Sequence, residues 1–333
     1  MPSSVVRTFT DPDAYRASNR RMRVEGFVIG RGTFRAESTS VQLDRLSIRR
    51  SEETLPRIAR YAGDSKIFEI VFVTRRDQQA FVNGIELSHG HVVVVGAGSE
   101  GYNRTATACR WGSVFLTHEA LASVGQAIIG RELTAPPFTH SIKPPSPLLS
   151  RLVNLHEATG HLAKTAPDIL AKPEVGRAME QALMEAMVSC LVCGDPANVH
   201  TSHRHHARVM RRLEEAIQAN PDEPLYMADL CRALGVSYRI LRACCQEHLG
   251  MSPKRYLWLR RMNLARRALR RAHPQRTTVT EIAGNYGFWE LGRFSVTYRS
   301  LFGESPSTTL SRPPEDPQPG ETGGSPWQFT KTA

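Results

Sequence analysis

Arg239 and Arg242 stand in the stretch Ser237 to His248, with Tyr238 and Ala243 beside them. Leu241, Cys245 and Leu249 recur there at helical spacing. The apolar set therefore turns inward and Tyr238, Arg239, Arg242 and Ala243 turn out. A guanidinium carries a fixed fork of donors that matches the two acceptors on the major-groove edge of guanine. The spacing thus predicts a helix face able to read bases, with Arg239 and Arg242 as its leading readers. A second stretch, Trp289 to Phe302, sets Phe294, Tyr298, Leu301 and Phe302 at roughly helical spacing, with Phe288 before them. It turns out Leu291, Gly292, Arg293, Ser295 and Val296. With fewer polar readers, this face is expected to meet thymine methyls and backbone more than hydrogen-bonding edges, so the first stretch should dominate specificity.

Each stretch needs a partner helix to hold it. Met227-Ala-Asp-Leu-Cys-Arg-Ala-Leu234 precedes the first across Gly235-Val236, and Val279-Thr-Glu-Ile-Ala-Gly-Asn-Tyr286 precedes the second across Gly287-Phe288. A short helix, a glycine-bearing turn and a longer helix make a helix-turn-helix unit, whose second helix enters the major groove. Gly250 supplies a stop to the first unit, and Ser252-Pro253 opens the connecting helix with a cap and a first-turn proline. That helix, Pro253 to Arg271, carries eight Lys/Arg and no acid. Leu257, Trp258, Met262, Leu264, Ala265, Ala268 and Leu269 form its apolar face. Arg255, Arg260, Arg266, Arg267, Arg270 and Arg271 are read on the other side, where Arg260 is expected to contact phosphate. A membrane-surface helix is the bland alternative, but the flanking units need the apolar face for packing. Ala207 to Ala219 is read as an opening helix with Val209, Leu213 and Ile217 on one face, broken by Asn220-Pro-Asp-Glu-Pro224.

Charge points the same way. The chain has 333 residues and a formal net charge of +11. Residues 204–312 hold 19 Lys/Arg against 9 Asp/Glu, and everything else is nearly neutral. A localised positive field suits a surface that displaces counterions from phosphates.

Residues 211–312 resemble the AraC/XylS family of bacterial transcription regulators. The resemblance is carried by Leu230, Leu234-Gly-Val-Ser237, Leu241, Leu249-Gly-Met-Ser-Pro253, Tyr256, Leu259-Arg260, Leu264-Ala265-Arg266 and Leu269. It continues through Val279-Thr-Glu-Ile-Ala283, Gly287-Phe288, Arg293-Phe294, Tyr298 and Phe302-Gly-Glu-Ser-Pro306. Three departures stand out. Cys245 replaces the family's usual aromatic. Gly284-Asn285 replaces an alanine-hydrophobic pair, at about 1 kcal/mol for glycine against alanine in a helix. Glu290 stands where serine normally opens the second reader helix. The variant of the second unit looks like the branch whose N-terminal part is a β-rich module for ligand sensing or dimerisation, a likeness resting there on scattered features such as Cys109-Arg-Trp-Gly-Ser113.

The N-terminal half fits that expectation. Val24-Glu-Gly-Phe-Val-Ile-Gly30, which alternates in part, Ile67-Phe-Glu-Ile-Val-Phe-Val73 and Val92-Val-Val-Val95 read as strands, and Asn83-Gly84 between short apolar runs is a tight hairpin signal. Strands over about 24–116 predict a cupin-like barrel or sandwich. The proline-rich segment 134–147 reads as a loop or strap. Helices over about 147–193 carry two stripes, one of Leu148, Leu149, Leu152, Leu155 and His156, the other of Leu183, Met187, Cys190 and Leu191. They either pack on the β module or form a dimer interface. The expected order is a sensing or dimerisation domain at 1–193, a linker at 194–206, a DNA-binding domain at 207–312 and a disordered tail at 313–333.

Two other constellations tempt. Cys190-Leu-Val-Cys193 with His200, His203, His205 and His206 offers zinc-ligand types, but the cysteines end an apolar helix, where cysteine packs as a small hydrophobe. His89-Gly-His91 would align two imidazoles on a strand, but Gly90 indicates a turn and no carboxylate follows closely. Neither is taken as a metal site, and no cofactor or catalytic residue is assigned. No apolar run approaches a membrane span or a signal core, and six cysteines fit a reducing cytoplasm better than a disulfide framework. The expectation is an α+β chain: an N-terminal β-rich module with packed helices, then an all-α domain of two helix-turn-helix units on one long basic helix. It would act as a cytoplasmic, sequence-specific transcription factor and not an enzyme. Its partners would be double-stranded DNA and a small-molecule effector, with RNA polymerase and a second copy as further candidates. The alternatives are a metal-dependent β-barrel enzyme fused to a DNA-binding domain and a nonspecific architectural protein.

Overall fold

A computed structural model describes residues 2–19, 23–196, 201–219 and 225–312. The chain divides into two compact units, one of Met1–Gly26 with Thr33–His203, the other of Phe27–Gly32 with Arg204 onward.

The first unit is built on two sheets. Its strands are β1 (Ser3–Phe9), β2 (Arg23–Val28), β3 (Ala36–Gln42), β4 (Leu46–Glu53), β5 (Arg57–Ala62), β6 (Ile67–Val73), β7 (Ala80–Val82), β8 (Ile85–Glu86), β9 (Val92–Val95), β10 (Glu100–Thr105), β11 (Cys109–Thr117), β12 (His140–Lys143) and β13 (Asp195–Pro196). One sheet runs β1-β3-β4-β11-β6-β9-β12-β13 and the other β2-β5-β10-β7-β8. Side chains alternate across a strand, and the larger sheet buries both faces. Phe68, Ile70 and Phe72 of β6, Val92 and Val94 of β9, and Val114 and Leu116 of β11 share one core with the helices. Val71, Val73, Val93, Val95 and Cys109 point the other way and meet Tyr61, Ala80 and Val82 of the smaller sheet. Two-sided burial explains why β6 reads as an apolar run interrupted only by Glu69.

The β7–β8 hairpin turns at Asn83-Gly84, with φ 52 and 81, and pairs Val82 with Ile85. That is the positive-φ two-residue turn its sequence predicts. Strands start earlier than expected, because β1 pairs along its length with β3. The proline-rich segment is also more than a strap, since β12 within it pairs with β9.

Helix α1 (Pro12–Ala17) follows β1, and α2 (His118–Ile129) follows β11 with Thr117 as its side-chain cap. Then come α3 (Ser146–Thr165), the short α4 (Pro167–Leu170) and α5 (Pro173–Cys193). Leu149, Leu152, Leu183, Met187 and Cys190 join the core of the large sheet, so both stripes pack on the β module. Glu180 fastens α5 in place, its carboxylate accepting from the backbone N–H of Arg45 at 2.6 Å and of Leu46 at 3.0 Å. Backbone donors to a carboxylate make strong, charge-assisted bonds.

The second unit is helical. It holds α6 (Thr201–Ala219), α7 (Met227–Leu234), α8 (Tyr238–Leu249), α9 (Pro253–Arg271), α10 (Val279–Asn285), α11 (Leu291–Phe302) and α12 (Pro306–Leu310). Helix α6 starts at Thr201, so residues 201–206 of the segment expected as a linker are already helical, and β13 takes up 195–196. Val209, Met210, Leu213 and Ile217 are buried along α6. The expected break at 220–224 and the expected tail at 313–333 lie outside the described residues.

Candidate nucleic-acid interface

The first helix-turn-helix unit is set by two local devices. Gly235 takes the left-handed conformation that ends α7, at φ 63, where a residue with Cβ is disfavoured. Ser237 then caps α8, its hydroxyl accepting from the N–H of Ile240 at 3.3 Å. Leu230, Leu234, Leu241, Cys244, Cys245 and Leu249 are buried beneath. Cys245, in place of an aromatic, is fully buried with its sulfur 4.0 Å from that of Met210. Burial pushes the Cys244 thiol up to about 11, so it is an inert core side chain near neutral pH.

The outward face of α8 carries Tyr238, Arg239, Arg242 and Ala243, all exposed, as the sequence predicts. It also carries Ile240 and Gln246, which the sequence reading missed. Gln246 lies one turn beyond Arg242 and could have been found by extending the outward stripe. Among the described residues, neither Arg239 nor Arg242 has an ion-pair partner, so both guanidiniums keep their donors for an incoming ligand.

The second unit repeats the plan with a weaker start. Thr278 caps α10 through the N–H of Glu281 at 3.2 Å. Gly287 turns at φ 73 and Phe288 N–H returns to the Ala283 carbonyl at 2.9 Å. Helix α11 begins at Leu291, after Glu290, which makes no capping bond. Trp289, read as the start of this helix, therefore lies in the turn and is 81% exposed. Leu291, Gly292, Arg293 and Val296 are exposed and Ser295 is half-buried; Arg299, not anticipated, extends this exposed face. Arg293 pairs with Glu290 at 3.8 Å, both side chains being exposed. Such a pair is worth little and yields readily to a stronger anion. Phe294 and Tyr298 anchor the inner side, and the Tyr298 hydroxyl lies 2.9 Å from that of Thr309 on α12.

Helix α9 departs from expectation at one site residue. Arg260 is 4% exposed, buried with Tyr256, Leu259, Met262 and Asn263. The expected phosphate contact from Arg260 is therefore corrected: the helix turns this arginine into the fold, and Leu257 and Trp258 are only half-buried instead. Lys254, Arg255 and Arg271 are exposed, while Arg266, Arg267 and Arg270 are half-buried. Arg266 sits 4.8 Å over the Phe302 ring and 4.0 Å from Glu304, and so binds the second unit to α9. The basic side of this helix is thus partly structural.

Of the Cys/His constellation, His200 lies outside the described residues. Among the described residues, no group of three His, Cys, Asp or Glu is placed to hold an ion. Cys190 is buried while Cys193 is exposed, His206 hydrogen-bonds Glu247 at 2.6 Å, and Gly90 makes the turn expected between His89 and His91. No helix among the described residues is long and apolar enough to cross a membrane.

Comparison with known proteins falls on this unit. Residues 230–312 match the family described as "Helix-turn-helix domain". The chain is 32% identical over 162 residues to the probable thc operon regulatory protein of Rhodococcus erythropolis, covering 49% of each chain. It is 36% identical over 105 residues to the XylDLEGF operon transcriptional activator 1 of Pseudomonas putida, covering 32% of this chain and 30% of that one. A solved probable AraC family transcriptional regulator from Rhodopseudomonas palustris is 38% identical, with a TM-score of 0.29, over 32% of this chain and 98% of that one. The chain spans about half or less of the length of these two operon regulators. Residues 230–312 thus form a helix-turn-helix domain of AraC type, and this part of the chain is similar in sequence to the operon regulators named above.

Proposed function

We propose that the chain is a sequence-specific DNA-binding transcription factor whose N-terminal unit responds to a small molecule. The observation that carries this reading is the pair of capped helix-turn-helix units whose second helices, α8 and α11, present Arg239, Arg242 and Arg293 to solvent from a buried apolar base. On this reading the two helices enter successive major-groove segments about one turn, roughly 34 Å, apart. Tyr238, Arg239, Arg242 and Ala243 read bases; Leu291, Gly292, Arg293, Ser295 and Val296 contact methyl groups and backbone. The first unit, over about residues 1–193, serves sensing or dimerisation, and residues 207–312 bind DNA. The site of action is the cytoplasm, with RNA polymerase and a second copy as further partners.

Genomic selection for bound duplexes, followed by footprinting, tests the proposal. A specific regulator retains at least about a thousandfold preference for its site over random DNA. Arg242→Ala should weaken that site by about 1–3 kcal/mol and relax preference at one base position. Equal binding to random and selected duplexes would instead show an architectural protein.

A further inference from the structure

Between the two sheets of the first unit lies a cavity of about 50 Å³, several times the roughly 10–15 Å³ that one water molecule needs. Charged groups reach its wall from three strands: Arg57 of β5, Glu69 of β6 and Arg104 of β10. An ionised group in such a wall is costly unless compensated, so the way each is compensated sets the charge that the cavity presents.

Arg57 is already occupied. Its Nε donates to a Glu53 oxygen at 2.8 Å and its Nη1 to the Asn103 side-chain oxygen at 3.0 Å, with the guanidinium 5.0 Å from the Trp111 ring. Glu69 is 7% exposed, and burial pushes its carboxyl up to about 8 against the opposing pull of the Ser113 hydrogen bond and of Arg49. Near neutral pH it is chiefly the acid form, an O–H donor. Arg104 is different. Its guanidinium lies 3.4 Å from the Phe81 ring centroid, and its Nε is buried without a hydrogen-bond partner among the described residues. Glu86 attracts it only through space. With Arg57 paired to Glu53 and Glu69 neutral, Arg104 is the half-buried positive charge of the wall that has no directly bonded carboxylate among the described residues, Glu86 attracting it only at a distance.

We propose that this cavity binds a compact organic monoanion. Its anionic group pairs with Arg104, its apolar body sits among Phe81, Trp111 and Val71, and the Glu69 carboxyl makes the second polar contact. This rests on the reading of the first unit as the sensing part and names the class of effector. A neutral ligand forgoes the Arg104 charge, and a cation is repelled by it. Alkaline pH opposes the anion too. The groups facing Glu69 and this space are Arg49 from β4, Arg57 and Tyr61 from β5, Arg104 from β10 and Ser113 from β11. The arginines stay charged and burial holds the Tyr61 hydroxyl protonated, so Glu69 alone of these titrates near pH 8. Above that value a second negative charge stands beside the ligand.

The test is calorimetric titration of the full chain with butyrate, isovalerate and 2-furoate, each beside its carboxamide, at pH 7 and pH 9. The expected result is binding by at least one carboxylate at pH 7, about tenfold or more tighter than its amide. Affinity should fall about tenfold per pH unit above pH 8, the limit for a site that needs one bound proton. Arg104→Gln should lose this binding, Arg104→Lys should keep part of it, and Glu69→Gln should bind at pH 7 and hold that affinity at pH 9. No carboxylate binding, an amide that binds equally, or a folded Arg104→Gln chain that binds unchanged overturns the proposal. If Arg104→Gln does not fold, the carboxylate-to-amide ratio on the unaltered chain decides alone. Duplex binding by the same samples is read separately: anion binding without specific DNA recognition sinks the regulator reading and leaves the ligand site standing, and the converse sinks only the ligand class.

Discussion

Arg242 and Arg260 belong to the same unit and carry the same charge, yet burial separates their roles. Arg242 is exposed on α8, while Arg260 is 4% exposed within α9. Replacing Arg260 by Ala should therefore lower stability by about 1–3 kcal/mol, the range for disturbing a buried polar side chain. In salt titrations of duplex binding it should leave the slope unchanged; a slope shallower by a full unit would restore Arg260 to the interface. His156 offers a second residue-scale test. It is fully buried, with Nε2 3.2 Å from the Arg49 carbonyl, and burial followed by the nearby Arg50 charge drops its imidazole to about 4. The folded chain then holds His156 neutral between about pH 6.5 and 4 while the unfolded chain takes up a proton. Stability contributed by this site is full above pH 6.5, falls as pH drops through that window and levels below pH 4. Denaturant melts of His156→Gln should show a pH slope reduced by up to about 1.4 kcal/mol per unit between those limits. Parallel curves for the two chains would show that the imidazole is not neutral in the fold.

At the scale of elements, the helix-turn-helix units were legible because their signals are local. Gly235, Ser237, Gly250 and Ser252-Pro253 each mark an end or a start within a few residues, and the structure uses all of them as caps. Gly235→Ala tests this. No atom closer than 4.0 Å would meet the added Cβ, so the cost is conformational, about 1–2 kcal/mol for a left-handed residue with a side chain. Thermal melts should register that loss; an unchanged midpoint would mean that the turn relaxes into another conformation. What escaped the sequence is non-local. Strand β12 was hidden in a proline-rich segment because its pairing with β9 depends on residues some fifty positions away. The direction of Arg260 was missed because a long helix with arginines on several sides offers more than one inward face, and only packing chooses. The Arg57, Glu69 and Arg104 wall was likewise invisible, since three strands of two sheets bring it together. Even so, the Asn83-Gly84 hairpin and the double-sided burial of β6 and β9 followed from their residues alone.

For the whole molecule, the net charge of +11 sits almost entirely in the second unit, and the structure divides that surplus by task. Arg266 is turned toward Phe302 and Glu304 and serves the fold. Arg239, Arg242, Arg293 and Arg299 are exposed on α8 and α11, and Lys254, Arg255 and Arg271 on α9. Only the exposed class can release counterions from a duplex, so the salt dependence of binding should count contacts from this set and not the formal charge. Each phosphate contact contributes about 0.9 to the slope of log affinity against log salt. Arg299→Ala, on the helix expected to meet backbone more than bases, should reduce that slope by about one unit and weaken selected and random duplexes alike. Arg242→Ala should instead erode the ratio between them. Filter binding of both variants over a series of salt concentrations separates the two effects. If Arg299→Ala changes sequence preference while leaving the slope intact, α11 reads bases as directly as α8 does, and the assignment of specificity chiefly to the first unit fails.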